Sequence, residues 1–311
     1  MKKLSAAQEK LAAFLERQRQ KRQEDAFVLS EPGIISFSGG RTSGLMLRKI
    51  LDHYGGSLPG SIQVVYCNTG KEREETLDFI EECSQRWQTP ILWLEYVYRK
   101  GLGKSEKHSF RVVDYKTASR KGEPFDMVID ARQDVKREKG EPLILPNQGM
   151  RFCTGELKQN TKTRYMRSIG VKKYSNALGI RYDEPRRWMN IHDCPGGRLT
   201  GETPKAPLFD AKLTEADVMQ FWKEQPFDLG LSSHEGNCDL CFLKAGWKLD
   251  SIIREHPEYA DWWIQKEKES GAQFQLKKSF EQRRMQLALI DKEGNRCSTE
   301  EDDYQECHCT D

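Results

Sequence analysis

Two stretches of this sequence carry residue types at spacings suited to chemistry. The first is Ser36-Phe37-Ser38-Gly39-Gly40-Arg41-Thr42-Ser43-Gly44. Adjacent glycines let a backbone approach an anion closely, and Ser38, Thr42 and Ser43 add hydroxyl donors. Ile34-Ile35 precede the turn, and Leu45, Leu47 and Ile50 follow it at helical spacing. The stretch therefore reads as strand, turn and helix, with the free N–H groups and positive end of the helix aimed at the turn. That is a phosphate cradle, although an unliganded βα turn shares the pattern. The glycine spacing and lysine of a Walker loop are both missing. The second stretch, Cys238-x-x-Cys241, puts two thiolates on one turn, where both reach a single metal centre. Together with Cys153 they make three ligands, and Cys194, Cys307 and Cys309 are candidates for a fourth. A [4Fe–4S] cluster and zinc both remain open on these residues alone.

Arg181, Arg186 and Arg187 surround Asp183-Glu184-Pro185. Forked guanidinium donors on such a turn suit phosphate or sulfate oxygens, with surface pairing to Asp183 and Glu184 as the alternative. Cys67, Cys83 and Cys297 read as structural or incidental.

The elements that must position these residues alternate. Strand Gly33–Ser38, helix Ser43–His53, strand Ile62–Tyr66, helix Glu74–Trp87 and strand Ile91–Val97 imply a Rossmann-like, doubly wound parallel sheet. The turn at Ser38 and the turn Asn68-Thr69-Gly70 both follow strand ends, so one crevice serves both. Residues 99–150 read as a long basic excursion over that crevice, with short strands near Phe110–Val113 and Leu143–Leu145. Beyond it come a helix from Cys153 to Ile169, a strand from Tyr174 to Arg181, and a helix capped by Thr214 with Asp217 completing the capping box. Leu4, Ala7, Leu11, Phe14 and Leu15 lie at helical spacing near the start. The expected organisation is an N-terminal amphipathic helix over 1–30, a nucleotide-binding domain over 31–231, and a cysteine-rich, helical region over 232–311. A helix near Leu249–Lys268 and a polar end make up the last part.

The chain of 311 residues balances 50 basic against 48 acidic residues, so no overall charge draws it to nucleic acid. Nine cysteines, an odd number at uneven spacing, argue against a disulfide framework and for metal or thiol chemistry. With no long apolar run and no leader pattern after Met1-Lys2-Lys3, the expectation is a soluble, cytoplasmic protein without a membrane partner.

Ser38-Gly39-Gly40-x-x-Ser43 resembles the pyrophosphate loop (PP-loop) of the adenine nucleotide α-hydrolase superfamily. Further stretches resemble its phosphoadenylylsulfate (PAPS) reductase branch: Cys67 to Phe79 its second motif, Ala177 to Arg187 its arginine loop, and Cys153-Thr154-x-x-Leu157-Lys158 with Cys238-Asp239-Leu240-Cys241 its cluster cysteines. The resemblance runs from about Gly33 to Lys244. It implies an adenine nucleotide, ATP or an adenylylsulfate, held by Ser36, Ser38, Gly39, Gly40, Arg41, Thr42, Ser43, Thr69 and Gly70, with its anionic end near Arg181 and Arg186. Mg²⁺ belongs to the ATP version. It also implies a [4Fe–4S] cluster on Cys153, Cys238, Cys241 and Cys309. Members of the branch end in a Glu-Cys tail whose thiolate attacks sulfur; Glu306-Cys307 matches it, while Cys307-x-Cys309 suits metal ligation equally well. Arg181 would assist the catalytic cysteine.

Three departures matter. Phe152 stands where cluster-bearing reductases have a second cysteine, His308 replaces the glycine after the catalytic cysteine, and Thr42 replaces the aspartate of ATP-cleaving members. Two activities therefore share one site in expectation. One is reduction of an adenylylated sulfate to sulfite with a thiol reductant. The other is ATP-dependent thiolation of tRNA or DNA with a sulfur donor. A catalytically silent nucleotide- or nucleic-acid-binding module is the third reading, and self-association fits any of them.

Overall fold

A computed structural model describes Lys10 and residues 26–103, 106–192, 201–232, 235–236 and 238–293. Of the N-terminal helix expected over 1–30, Lys10 and residues 26–30 are described, and 26–30 form a turn and irregular backbone instead of helix. The rest lies outside the described residues, as do Cys194, Cys297, Cys307 and Cys309.

The β-branched and aromatic runs expected as strands form β1 (Gly33–Ser36), β2 (Ile62–Asn68) and β3 (Ile91–Tyr98), and helices α1 (Arg41–His53) and α2 (Glu74–Arg86) connect them. With β4 (His108–Val113), β5 (Tyr174–Ala177) and β6 (Glu202–Lys205) they build a six-stranded sheet in the order β4-β3-β2-β1-β5-β6. All neighbours run parallel except β4, which pairs antiparallel with β3 at the edge. The chain winds outward from β1 to β3, then returns to the other side of β1 as β5. The strand order thus reverses between β1 and β5, where Ile35 pairs with Ala177. Crevices for ligands open beyond the strand ends at such a reversal.

Several expected boundaries shift. Helix α1 starts at Arg41 rather than near Ser43, with Gly40 as its N-cap in an extended conformation. The excursion over 99–150 contains a 16-residue helix, α3 (Glu123–Glu138), whose buried Phe125, Val128, Ile129 and Ala131 were concealed among charges. The short strand expected at Leu143–Leu145 is irregular. The helix expected from Cys153 begins as a π-helical segment, Thr154–Asn160, and tightens to α4 (Thr161–Ser168). The strand expected to reach Arg181 ends at Ala177, and helix α5 (Pro185–His192) follows. A short helix α6 (Pro207–Asp210) leads to α7 (Glu215–Lys223), where Thr214 and Asp217 form the expected capping box. The single helix expected near Leu249–Lys268 is two, α8 (Gly246–Glu255) and α9 (Ala260–Ser270), because Pro257 cannot continue the first. The end expected to be polar folds from Phe280 to Glu293 as α10.

Two apolar clusters hold these layers. One joins α1, α2 and α7 to the sheet through Leu45, Phe79, Ile80 and Trp222. The other joins α3 to the C-terminal helices through Phe125, Ile129, Leu249, Trp263, Phe274 and Phe280, and takes in Cys238, Cys241 and Leu157. The cysteine knuckle is therefore anchored on a core of its own. Truncating a buried aromatic such as Trp263 costs about 3–5 kcal/mol.

Candidate active site

The turn after β1 is shaped by packing as well as by its donors. Gly39 has φ +79°, and a Cβ there would meet Thr76 Cγ2 at 2.6 Å and Ile80 Cδ1 at 2.8 Å. Only glycine lets the backbone lie this close to α2. Ser43 Oγ accepts from the Ser38 amide at 3.2 Å, lies 2.9 Å from Ser38 Oγ, and donates to the Gly40 carbonyl at 3.0 Å. These bonds hold both hydroxyls beside the α1 N-terminus. Gly179, just past β5, packs so closely that a Cβ there would stand 3.2 Å from Ser43 Cα. The segments after β1 and β5 thus close on each other at the reversal point.

Arg41 turns away from this cradle. Its guanidinium grips Asp228 with two bonds, at 2.7 and 2.5 Å, and donates to the Leu231 carbonyl at 2.8 Å. The Trp222 indole donates to the Arg41 carbonyl at 2.8 Å. Arg41 is a brace for the start of α1. Thr42, the position expected to contribute a hydroxyl, is half-buried on the first turn.

A small, partly open cavity at the cradle is lined by Ser36, Phe37, Ser38, Val65, Tyr66, Cys67, Lys158 and Lys162. Two lysines at helical i,i+4 spacing thus meet the ends of β1 and β2. Lys162 was not among the expected site residues, and Cys67, read as incidental, stands in this wall. Lys162 is 2% exposed and donates to Ser36 Oγ at 2.5 Å. Ser36 in turn donates to Asn176 Oδ1 at 2.7 Å, and the Asn176 amide donates to Glu202 at 2.8 Å. Cys83, by contrast, is fully buried in α2, where desolvation pushes its thiol well up.

A second small cavity shares a wall with the first, and Lys158 lines both. Cys153, Cys238 and Cys241 share its wall with Thr69, Phe125, Leu157 and Trp263. The knuckle is clamped from three directions. Asp239 receives the Lys71 ammonium at 2.9 Å and the Trp263 indole at 2.9 Å, its amide donates to the Lys71 carbonyl at 2.7 Å, and Lys244 donates to the carbonyls of Gly236 and Cys238. Thr69 faces this cysteine cavity and not the phosphate cradle, with its hydroxyl donating to Glu72 at 2.8 Å and 3.5 Å from Cys238 Sγ. Gly70 packs on Gly122. Burial raises the Glu72 carboxyl, against the pull of Lys158 and the Thr69 bonds.

Ligands of one zinc ion sit about 3.8 Å apart, twice the tetrahedral projection of a 2.3 Å bond. Among the described residues, the group of three potential ligands within 4.8 Å of one another is Glu235, Glu255 and His256, not the cysteines. Cys153, Cys238 and Cys241 line one cavity together, and zinc and a [4Fe–4S] cluster both remain open to them.

The arginine loop is differently disposed. Arg181 pairs with Asp183 at 3.0 Å, Glu215 at 3.4 Å and Glu184 at 3.9 Å, and Arg187 pairs with Glu184 at 3.0 Å. Burial opposes the charge on Arg181, but these carboxylates together hold its guanidinium more firmly protonated. Arg186 is exposed on α5. The loop follows β5 as expected, yet its acidic residues take up the arginine charge.

Among the described residues no helix is long and apolar enough to cross a membrane. No family model matches the sequence. Of solved structures, PAPS reductase from Candida auris, as its phosphate complex, aligns over 72% of this chain and 88% of its own, at 14% identity and a TM-score of 0.35. The U34-tRNA thiolase NcsA from Methanococcus maripaludis, with its [4Fe–4S] cluster, aligns over 96% of this chain and 87% of its own, at 13% identity and a TM-score of 0.31. A relative in sequence is nearer: the uncharacterized nin region protein ORF290 of Escherichia phage lambda is 31% identical over 224 residues. That alignment covers 71% of this chain and 69% of the phage protein, and the chain accordingly belongs to the same family as ORF290.

Proposed function

We propose that this chain is a PP-loop enzyme that holds an adenine nucleotide on Ser38, Gly39, Gly40 and Ser43 and carries out cysteine-dependent sulfur chemistry beside it. The observation that carries this reading is the shared wall: Lys158 lines both the phosphate-loop cavity and the three-cysteine cavity. An anion on the loop and a sulfur on the cysteines would then be neighbours, with a cation between them. Such a site works by positioning and by stabilising charge at the α-phosphate or its attached group.

In the first version, the substrate is an adenylylated sulfate. A thiolate of the C-terminal tail, Cys307 or Cys309, attacks sulfur, and the S–O bond to phosphate breaks. AMP or its 3′-phosphate leaves with that electron pair. A dithiol then displaces sulfite from the enzyme-bound thiosulfonate and is itself oxidised to the disulfide. Lys158 and the α1 N-terminus stabilise the departing phosphate, and Arg181 assists only after exchanging a carboxylate partner for substrate. A [4Fe–4S] cluster on Cys153, Cys238 and Cys241, with Cys309 as a candidate fourth ligand, would supply an iron–sulfur centre next to the reacting sulfur.

A second version is favoured by the engagement of Arg181 with three carboxylates, which leaves lysines rather than arginines facing the loop. Here ATP, with Mg²⁺, would adenylate an oxygen of tRNA or DNA with loss of pyrophosphate. Sulfide-level sulfur from a donor would then displace the activated oxygen, which departs with its electron pair as AMP.

Anaerobic product analysis decides between them. One reaction holds adenylylsulfate or its 3′-phosphate with a dithiol; the other holds ATP, magnesium and a mixed tRNA and DNA pool. Sulfite with AMP or its 3′,5′-bisphosphate is the expected result. AMP and pyrophosphate from the second reaction alone would replace it with thiolation, and tight nucleotide binding with no product in either would leave a silent binding module.

A further inference from the structure

The strongest unexplained group in the molecule is the Lys162 ammonium. It is 2% exposed, on the first turn of α4, and lines the cavity at the phosphate loop. Among the described residues no carboxylate lies within ion-pair distance of it, and its hydrogen-bond partner there is the hydroxyl of Ser36 at 2.5 Å. Taking an ammonium out of water costs several kcal/mol unless an anion compensates. Of the other buried lysines, Lys71 obeys that rule, pairing with Asp239 at 2.9 Å, whereas Lys244 meets two uncharged carbonyls and faces no cavity at the phosphate loop.

The surroundings of Lys162 are built to orient it, not to neutralise it. The chain Lys162 to Ser36 to Asn176 to Glu202 runs donor to acceptor without a break, and its first three members are at most 2% exposed. The nearest negative charge along it stands three side chains away. On the other side of the ammonium are Ser38, the loop and the positive end of the 13-residue helix α1. Positive charge on both sides of one small cavity is unfavourable when the cavity holds water alone, and becomes favourable when a multiply charged oxyanion enters.

We propose that Lys162 is an anion-binding residue of this site, and that its ligand is a condensed phosphate, either free pyrophosphate or the polyphosphate of a nucleotide. The proposal rests on the phosphate-loop reading above and adds to it the charge that makes a diphosphate preferable to a monoester. Ser36 and Asn176 are then positioning residues, fixing the ammonium through its hydroxyl partner.

The test is calorimetric titration of the full chain with inorganic pyrophosphate, ATP and AMP, for wild type, Lys162→Met, Lys162→Gln and an exposed control, Lys172→Met. The expected result is that wild type and the control bind pyrophosphate and ATP more tightly than AMP. Both Lys162 variants should lose about 10- to 100-fold for pyrophosphate and ATP, as for one charged hydrogen bond, and much less for AMP. The ligand-free melting temperature of Lys162→Met should not fall, since an uncompensated charge has been removed; a purely structural lysine would show the reverse. Should Lys162→Met fail to fold, Lys162→Gln, which can still donate to Ser36, gives the same comparison. Wild-type binding matched within twofold by a folded Lys162 variant would overturn the proposal and leave the phosphate loop standing. No binding of pyrophosphate, ATP or AMP by wild type would overturn both, and binding of AMP alone would overturn the proposal and leave the phosphate loop standing.

Discussion

Two cationic regions flank the same crevice, and they differ in who holds their charge. On the arginine loop, Arg181 has three carboxylates within 4.0 Å. In the cavity beyond β1, Lys162 has none among the described residues, although it is far more buried. Arg41, in the middle of the loop itself, belongs with the first kind, since Asp228 takes its fork. Cationic residue types are therefore a poor guide to available positive potential. A charge already answered inside the protein has to be released before it can hold a ligand, whereas an unanswered one gains by binding.

The largest effect should come from removing the cradle altogether. Gly39→Val forces a β-branched side chain into φ +79° and against Thr76 and Ile80. Left-handed strain and overpacking together cost about 2–4 kcal/mol, so a marked fall in melting temperature and loss of pyrophosphate binding are expected. Unchanged binding in a folded Gly39→Val protein would mean that the anion does not sit on this loop, and the contrast with the arginine loop would lose one of its sides.

The cysteine cavity should separate cleanly from the cradle. Cys238→Ser and Cys241→Ser are expected to abolish bound iron and turnover while leaving pyrophosphate affinity within about threefold of wild type, because neither residue lines the phosphate-loop cavity. Iron analysis and the same titration read both halves. Stoichiometric zinc in place of iron would redirect the metal assignment without touching the anion site.

Smaller effects sharpen the comparison of the cationic regions. Arg181→Gln should weaken pyrophosphate binding less than threefold, since its charge is already spoken for. Releasing that charge with the double change Asp183→Asn and Glu215→Gln should strengthen binding of an anionic nucleotide by about two- to fivefold, in proportion to a partly exposed charge. If Arg181→Gln instead costs as much as Lys162→Met, the arginine exchanges partners readily, and its ion pairs are a resting state.

The fold was legible because its signals are local. Ile34-Ile35 before Ser38-Gly39-Gly40, and the amphipathic spacing after it, specify a βα unit wherever they occur, and Thr214 with Asp217 specifies a helix start. The turn at Ser38-Gly39-Gly40 was legible for the same reason, and the cysteines singled out in sequence, Cys153, Cys238 and Cys241, line one cavity. Lys162 was not. In sequence it is one of several cations between Lys158 and Lys173, and only the return of β5 alongside β1 turns it inward onto Ser36. Helix α3 was hidden by its charged face, and the acidic neighbours of Arg181 come partly from Glu215, 34 residues away in sequence. What sequence spacing cannot carry is pairing between elements, and charge availability at a site depends on that pairing.

The Arg41–Asp228 link offers the smallest effect and a pH signature. Its bond to Arg41 holds the Asp228 carboxyl below the usual aspartate range, although partial burial opposes it. A carboxyl with a depressed folded-state pKa stabilises the fold above its unfolded value, and that contribution is lost as pH falls through the lower, folded value. Asp228 is 40% exposed at its side chain, so the pair is worth about 0.5–1 kcal/mol at most, or roughly 1–3 °C in a chain of this size. Asp228→Asn should therefore melt slightly below wild type near pH 7, with the two curves converging as pH falls below the usual aspartate range. Because Asp228 stands outside the cradle, pyrophosphate affinity should hardly change. A loss of affinity as large as that of Lys162→Met would place Arg41 among the residues that reach the anion, and would move it from the answered cations to the unanswered ones.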